Sequence, residues 1–168
     1  VGYLTRVIVR YRIITPPISP LMYIPLRSRR SVMAMDVLLS IRPRFAESIL
    51  RGDKRYEFRR SIFKDPDVER IYIYSTSPVM RIVGYFTVRG IFESSPGSLW
   101  SDFHAHAGID EQDFFEYFSD RERGFAIGIG DVHAFPEPVD PNEAIPGFRA
   151  PQDFMYLPEG FPGTLGPP

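Results

Sequence analysis

Lys54, Glu57 and Arg59 fall within one octapeptide, Gly52-Asp53-Lys54-Arg55-Tyr56-Glu57-Phe58-Arg59. A lysine, a glutamate and an arginine this close can pair among themselves. They can still present cationic donors to an anionic or polar ligand. Apolar segments lie on both sides, and a charge placed beside a core needs a partner. One arrangement has Arg59 orient Glu57 through a bidentate pair while Lys54 points into a cleft. Glu57 then accepts from a base amino group, and Lys54 meets a phosphate or carbonyl. The alternative is structural, with the three forming a salt-bridge network at a helix-to-strand junction. Exposed pairs contribute about 0–1 kcal/mol, and buried ones are not clearly stabilising. Three ionic residues at one junction are therefore a better ligand device than a stability device, and both roles can coexist.

Other side chains of chemical interest are weaker. Ser40, Ser75, Thr76 and Ser77 put short hydroxyls near strand ends, where ordinary turn capping explains them; Ser75 or Ser77 bonding a ligand is the alternative. No base stands at a spacing that would activate a serine. Arg42 lies at the end of the strand that carries Ser40. Tyr56 lies beside the charged face and is a stacking candidate, whereas Tyr72, Tyr74, Tyr85, Phe86 and Phe92 read as core. Asp102, His104 and His106 lack the spacing of three or four that metal sites on helices favour. His133 is lone and reads as structural. Gly128-Ile129-Gly130 lacks the strand-turn-helix setting of a nucleotide loop. No metal and no cofactor are expected.

The elements that must hold these residues follow from pattern. Asp36 to Arg42 is a short apolar run ended by Pro43, a buried strand. Pro43 suits the first turn of a helix. Phe45, Ala46, Ile49 and Leu50 then share one face, and Gly52 is a C-cap. Tyr56 and Phe58 alternate with Glu57 and Arg59, a strand with one aromatic and one charged face. Asp65-Pro66-Asp67 is a turn. Strands follow at Arg70–Tyr74 and Met80–Phe92, the latter with Gly84 and Gly90 as bulge sites. Ser94-Ser95-Pro96 caps a helix through Leu99, Trp100 and Phe103, which Gly108 ends. Asp110 and Asp113 cap another, with Phe114, Phe115 and Phe118 as its buried stripe. Gly124–Ile129 and Val132–Phe135 return to strand. A Pro-punctuated loop comes next, then a last strand near Phe154–Leu157. Helices this few and short do not suit a doubly wound parallel sheet. The expected fold is α+β: a small, mostly antiparallel β-barrel with short helices packed around it.

The 168 residues are 43% hydrophobic and 14% aromatic, enough for one domain with a packed core. There is no cysteine, hence no disulfide framework and no thiolate site. No apolar run approaches the roughly 18 residues of a membrane helix, and a cytoplasmic location is expected. The net charge of -1 hides an asymmetry: residues 1–34 carry six arginines and no acid. The rest holds 14 basic and 21 acidic residues, a balance of -7. Pro16-Pro17, Pro20 and Pro25 break regular structure in the basic segment, and Met33 and Met35 stand just before the first clean strand. Residues 1–34 read as a poorly ordered extension or an over-long gene start, with a nucleic-acid-binding arm or a targeting peptide as alternatives. The domain is expected at 35–157, with a flexible Gly/Pro tail at 158–168.

Leu38-Leu39-Ser40-Ile41-Arg42-Pro43, followed by the octapeptide, resembles the ASCH domain of the PUA-like superfamily. Its signature G-x-K-x-x-E-x-R is matched by Gly52, Lys54, Glu57 and Arg59. Ile73–Pro78 with Ile82-Val83-Gly84, then Arg123–Ile127, then Ala150–Leu157 resemble the later blocks, so the likeness runs from about residue 36 to 157. It implies a PUA-like barrel with a cleft between barrel and first helix, and RNA or translation-linked roles. One branch is similar in fold and hydrolyses N4-acetylcytidine with a Lys, a Thr and a Glu; another has been proposed to cut RNA. Lys54 matches that lysine, but the threonine position is Glu57, which removes the hydroxyl nucleophile. The first expectation is a module binding RNA or a modified nucleotide through Ser40, Arg42, Lys54, Tyr56, Glu57, Arg59, Ser75 and Ser77. The alternative is an RNA-processing or nucleoside-modifying hydrolase with Lys54 and Glu57 as acid/base groups. A protein-interaction domain with a vestigial cleft is the third reading.

Overall fold

The computed structural model describes residues 6–8, 35–158 and 161. Strands are β1 (Arg6–Ile8), β2 (Met35–Ile41), β3 (Tyr56–Arg59), β4 (Val68–Ser75), β5 (Arg81–Ser94), β6 (Gly124–Val139) and β7 (Phe154–Tyr156). Helices are α1 (Pro43–Leu50), α2 (Pro96–Phe103), α3 (Glu111–Tyr117) and α4 (Pro141–Ala144), with a 3₁₀ turn at His104–His106. The sheet runs β3-β6-β5-β4-β2-β7, with β1 added to β5. Among the described residues only β2 and β4 pair in parallel. The sheet curls into a half-barrel with the helices around it, the expected α+β architecture.

The connection that matters most is β2–α1–β3. Arg42 stays extended because a proline follows, and Pro43 opens α1. Ala46 and Ile49 turn into the barrel against Val37, Leu39, Ile71, Ile73 and Phe86. Gly52, at φ +83, takes the left-handed conformation that ends a helix, and its N–H meets Ile49 O at 2.9 Å. Lys54 follows on the short link into β3, whose register with β6 is set from Tyr56↔Gly128 to Arg59↔Phe125. Along β3 the aromatics turn towards α2 and α3, where Phe58 packs with Leu99, Phe114, Phe118 and Ala126. Period two sends Glu57 and Arg59 to the opposite face.

Ser95 caps α2 by accepting from Ser98 N, and Asp110 caps α3 by accepting from Asp113 N at 2.8 Å. Two of the three β5–β6 bulges fall where the glycines of β5 suggested, between Ile82 and Gly84 and between Val88 and Gly90; the third lies between Phe86 and Val88.

Some expectations need correction. Phe115 is not in the buried stripe of α3 but 38% exposed; its ring packs edge-on against Phe114 instead. β6 is one continuous strand through Pro136 and Pro138, since both prolines fall in the bulge between the Ala134↔Gly84 and Val139↔Ile82 pairings, where no ladder donor is needed. The loop after it holds α4, capped by Asp140. Phe161 is not part of a loose tail: it is buried against Tyr72, with ring centroids 4.9 Å apart. Within 1–34 the structure describes only Arg6–Ile8, which pairs antiparallel with Ile91–Glu93. The other expectations for 1–34 (a poorly ordered extension, an over-long gene start, a nucleic-acid-binding arm or a targeting peptide) and for a flexible tail lie outside the described residues. Among those described, no helix is long and apolar enough to cross a membrane.

Candidate functional site

A cleft of about 1030 Å³ opens where the two ends of the curled sheet approach each other, walled by α1, β3 and α3. Lys54 lies at its floor and is 2% exposed. Its Nζ donates to Ala107 O at 2.5 Å and stands 3.6 Å from Glu57 Oε2. The Phe45 and Phe58 rings flank it, each centroid 5.1 Å away. The ammonium has three N–H groups, and these contacts use two. Burial lowers its proton affinity, and Glu57 only partly opposes this. Gly108, with φ +62, packs directly on the lysine stem.

Glu57 bridges two cations, with Oε1 3.6 Å from Arg59 Nη1. This is not the bidentate pair expected from spacing. Arg59 instead spans the seam of the barrel. Its Nη1 donates to Ser40 O at 3.0 Å, its Nη2 donates to Asp153 O at 3.2 Å, and it is ion-paired with the Asp153 carboxylate. Ser40 in turn donates to Pro151 O at 2.6 Å. Arg59 thus ties β3 to β2 and to the segment entering β7, and it holds Glu57 at the edge of that network.

Of the residues chosen from sequence, Ser40, Arg42, Lys54, Glu57 and Arg59 line the cleft. Tyr56 does not; its ring packs between Phe103 and Phe92, at 4.3 and 6.5 Å. Ser75 is buried in the β2–β4 ladder opposite Ile41. Ser77 is exposed in the turn after β4 and outside the cleft, while Thr76 beside it lines the wall. Sequence reading passed over Arg44, Arg60, Tyr117, Arg121 and Asp153, which also line it. A signal existed for some: Asp113, Glu116 and Tyr117 share the face of α3 that Phe114 and Phe118 leave free.

The wall carries six cationic and four acidic side chains, a local positive excess in an otherwise acidic domain. Arg44 is held by Asp113 at 2.9 Å and Arg60 by Asp120 at 2.6 Å. Arg42 and Arg121 make no ion pair among the described residues. A floor ammonium under a rim of guanidinium groups can donate to the oxygens of a phosphodiester. Among the described residues no group of three His, Cys, Asp or Glu side chains stands close enough to hold a metal ion.

No protein-family model matches the chain. A curated relative from Zymomonas mobilis, named an ASCH domain-containing ribonuclease, is 31% identical over 125 residues, which span 73% of this chain and 84% of the relative. The crystal structure of ASCH from Zymomonas mobilis superposes with a TM-score of 0.72 at 30% identity, covering 77% of this chain and 92% of that one. A point mutant of the same protein gives 0.72 at 28% identity, covering 79% and 94%. With Lys54, Glu57 and Arg59 of the signature octapeptide lining a half-barrel cleft and a relative this similar over most of both lengths, the chain belongs to the ASCH domain family.

Proposed function

We propose that the cleft binds single-stranded RNA, with Lys54 at its floor meeting a phosphate oxygen. The observation that carries this is the setting of Lys54: nearly sealed from water, held by Ala107 O and Glu57, and overlooked by arginines in an acidic domain. An unpaired N–H of a desolvated ammonium binds an oxyanion more strongly than an exposed one does. The cleft volume exceeds what a single nucleoside fills, which favours an oligonucleotide. The name of the Zymomonas mobilis relative points to the same class of ligand.

The Lys54–Glu57 pair favours a second reading, cleavage of the bound strand. In it the ribose 2′-oxygen attacks the adjacent phosphorus and its proton passes to the Glu57 carboxylate. The P–O5′ bond breaks, and the leaving 5′-oxygen takes a proton from the Lys54 ammonium. The products are a 2′,3′-cyclic phosphate and a 5′-hydroxyl end. At 3.6 Å, proton return from Glu57 to Lys54 resets the pair.

The test is fluorescence anisotropy of labelled single-stranded RNA on the full chain over a range of salt, followed by a gel for RNA integrity. Saturable, salt-weakened binding, lost in Lys54→Met and partly kept in Lys54→Arg, is the expected result. Fragments that require Lys54 and Glu57 establish the second reading. Absence of RNA binding by the wild type overturns both.

A further inference from the structure

We propose that the cleft face of α3 reads the base of the bound nucleotide, with Tyr117 as the stacking surface and Glu116 as the carboxylate that selects guanine. This rests on the RNA-binding reading and adds to it a direction: phosphates towards the arginines of α1 and β3, bases towards α3.

α3 is two-sided. Phe114 and Phe118 are 0% and 2% exposed and belong to the core. Asp113, Glu116 and Tyr117 line the cleft, three and four residues apart on one stripe. Asp113 is engaged by Arg44. Glu116 makes no ion pair among the described residues. Tyr117 is 36% exposed, one of five large apolar side chains left so open among the described residues. The Phe118 ring props it edge-on at 4.8 Å, and the Arg60 guanidinium lies 5.9 Å from its centroid. An aromatic ring on a cleft wall, rigidly supported and beside an arginine, offers the surface on which unpaired bases stack.

Glu116 supplies discrimination. Guanine presents two parallel donors, N1–H and N2–H, that match the two oxygens of a carboxylate. Uracil presents one donor between two carbonyls, which the carboxylate repels. Cytosine and adenine each present an amino donor beside an acceptor.

The experiment compares a ten-nucleotide oligouridine with the same strand carrying one central guanosine, on the full-length wild type, Glu116→Gln, Tyr117→Phe and Tyr117→Ala. The wild type binds the guanosine strand about tenfold more tightly, the order expected of one bidentate base contact. Glu116→Gln brings that ratio towards one with little loss on oligouridine. Tyr117→Ala weakens both strands, and Tyr117→Phe restores them. Equal wild-type affinity for the two strands, a preference that survives Glu116→Gln, or a Tyr117→Ala variant that stays folded and binds as the wild type does overturns this proposal and leaves the RNA cleft standing. Failure of the wild type to bind either strand overturns the RNA cleft itself.

Discussion

A methyl group on Gly108 would stand 2.8 Å from Lys54 Cβ and 2.9 Å from its Cγ. These atoms are the near end of the stem, which cannot swing aside as a side-chain tip can. Gly108 also sits at φ +62, where an alanine costs roughly 1 kcal/mol of backbone strain. Gly108→Ala is therefore expected to lower the denaturation midpoint and to push Lys54 off Ala107 O. Binding of RNA should fall more than stability does. Full affinity in a folded Gly108→Ala variant would count against the placement of Lys54 as the floor of the site.

Arg59 faces the cleft, yet most of its hydrogen bonds hold the protein together. Ser40 O and Asp153 O lie on elements far apart along the chain, and only a planar, forked donor reaches both. Arg59→Lys keeps the charge but not the fork. The expected cost is roughly 2–3 kcal/mol, the scale of breaking charge-assisted bonds in a buried setting. Urea denaturation measures it. A loss below about 0.5 kcal/mol, typical of an exposed pair, would show that the seam closes without Arg59.

Sequence patterning reached the β2–α1–β3 unit because its signals are local: Pro43 at the helix start, Gly52 at its end, alternation along β3. The same locality explains what it missed. Tyr56 stands beside Glu57 in sequence, but period two sends it to the opposite face, into the α2–α3 core. Asp153 and Arg59 meet only because the sheet curls until its ends touch, a consequence of strand order that no window of residues contains. Tyr117 was hidden differently, since an aromatic within a Phe-rich helix reads as core until the opposite face is seen to border a cleft.

The pH dependence of stability follows from Lys54. Burial lowers its proton affinity, so the folded protein holds this proton less tightly than the unfolded chain, where the lysine titrates at 10.5. The contribution of Lys54 to stability therefore rises with pH between the lowered folded value and 10.5. It is complete above that window and lost as pH falls through the folded value. Stability of the wild type relative to Lys54→Met should grow as pH rises towards 10.5. Parallel curves for the two proteins would contradict it.

Glu57 also sets a limit on chemistry. It occupies the place where the acetylcytidine-hydrolysing branch, as the family resemblance has it, keeps a threonine hydroxyl. A carboxylate between Lys54 and Arg59 cannot take that covalent route to an amide. Incubation with N4-acetylcytidine should release no cytidine above background. Multiple turnovers that disappear in Lys54→Ala would show the prediction wrong.

Asp113 and Arg44 make an exposed pair, with side chains 39% and 56% accessible. Such a pair adds at most about 1 kcal/mol to stability, so its place on the cleft wall matters more than its strength. The carboxylate occupies the donors that a phosphate would use. Asp113→Asn frees Arg44 and removes one negative charge from the wall. RNA affinity should rise severalfold with the denaturation midpoint nearly unchanged. The dependence of log K on log salt should steepen by about 0.7, one added phosphate contact on a single strand. The opposite outcome, weaker binding at an unchanged salt slope, would mean that Asp113 holds Arg44 in position for the ligand and does not compete with it. The sign of this one change therefore distinguishes a carboxylate that mimics the phosphate from one that presents the arginine to it.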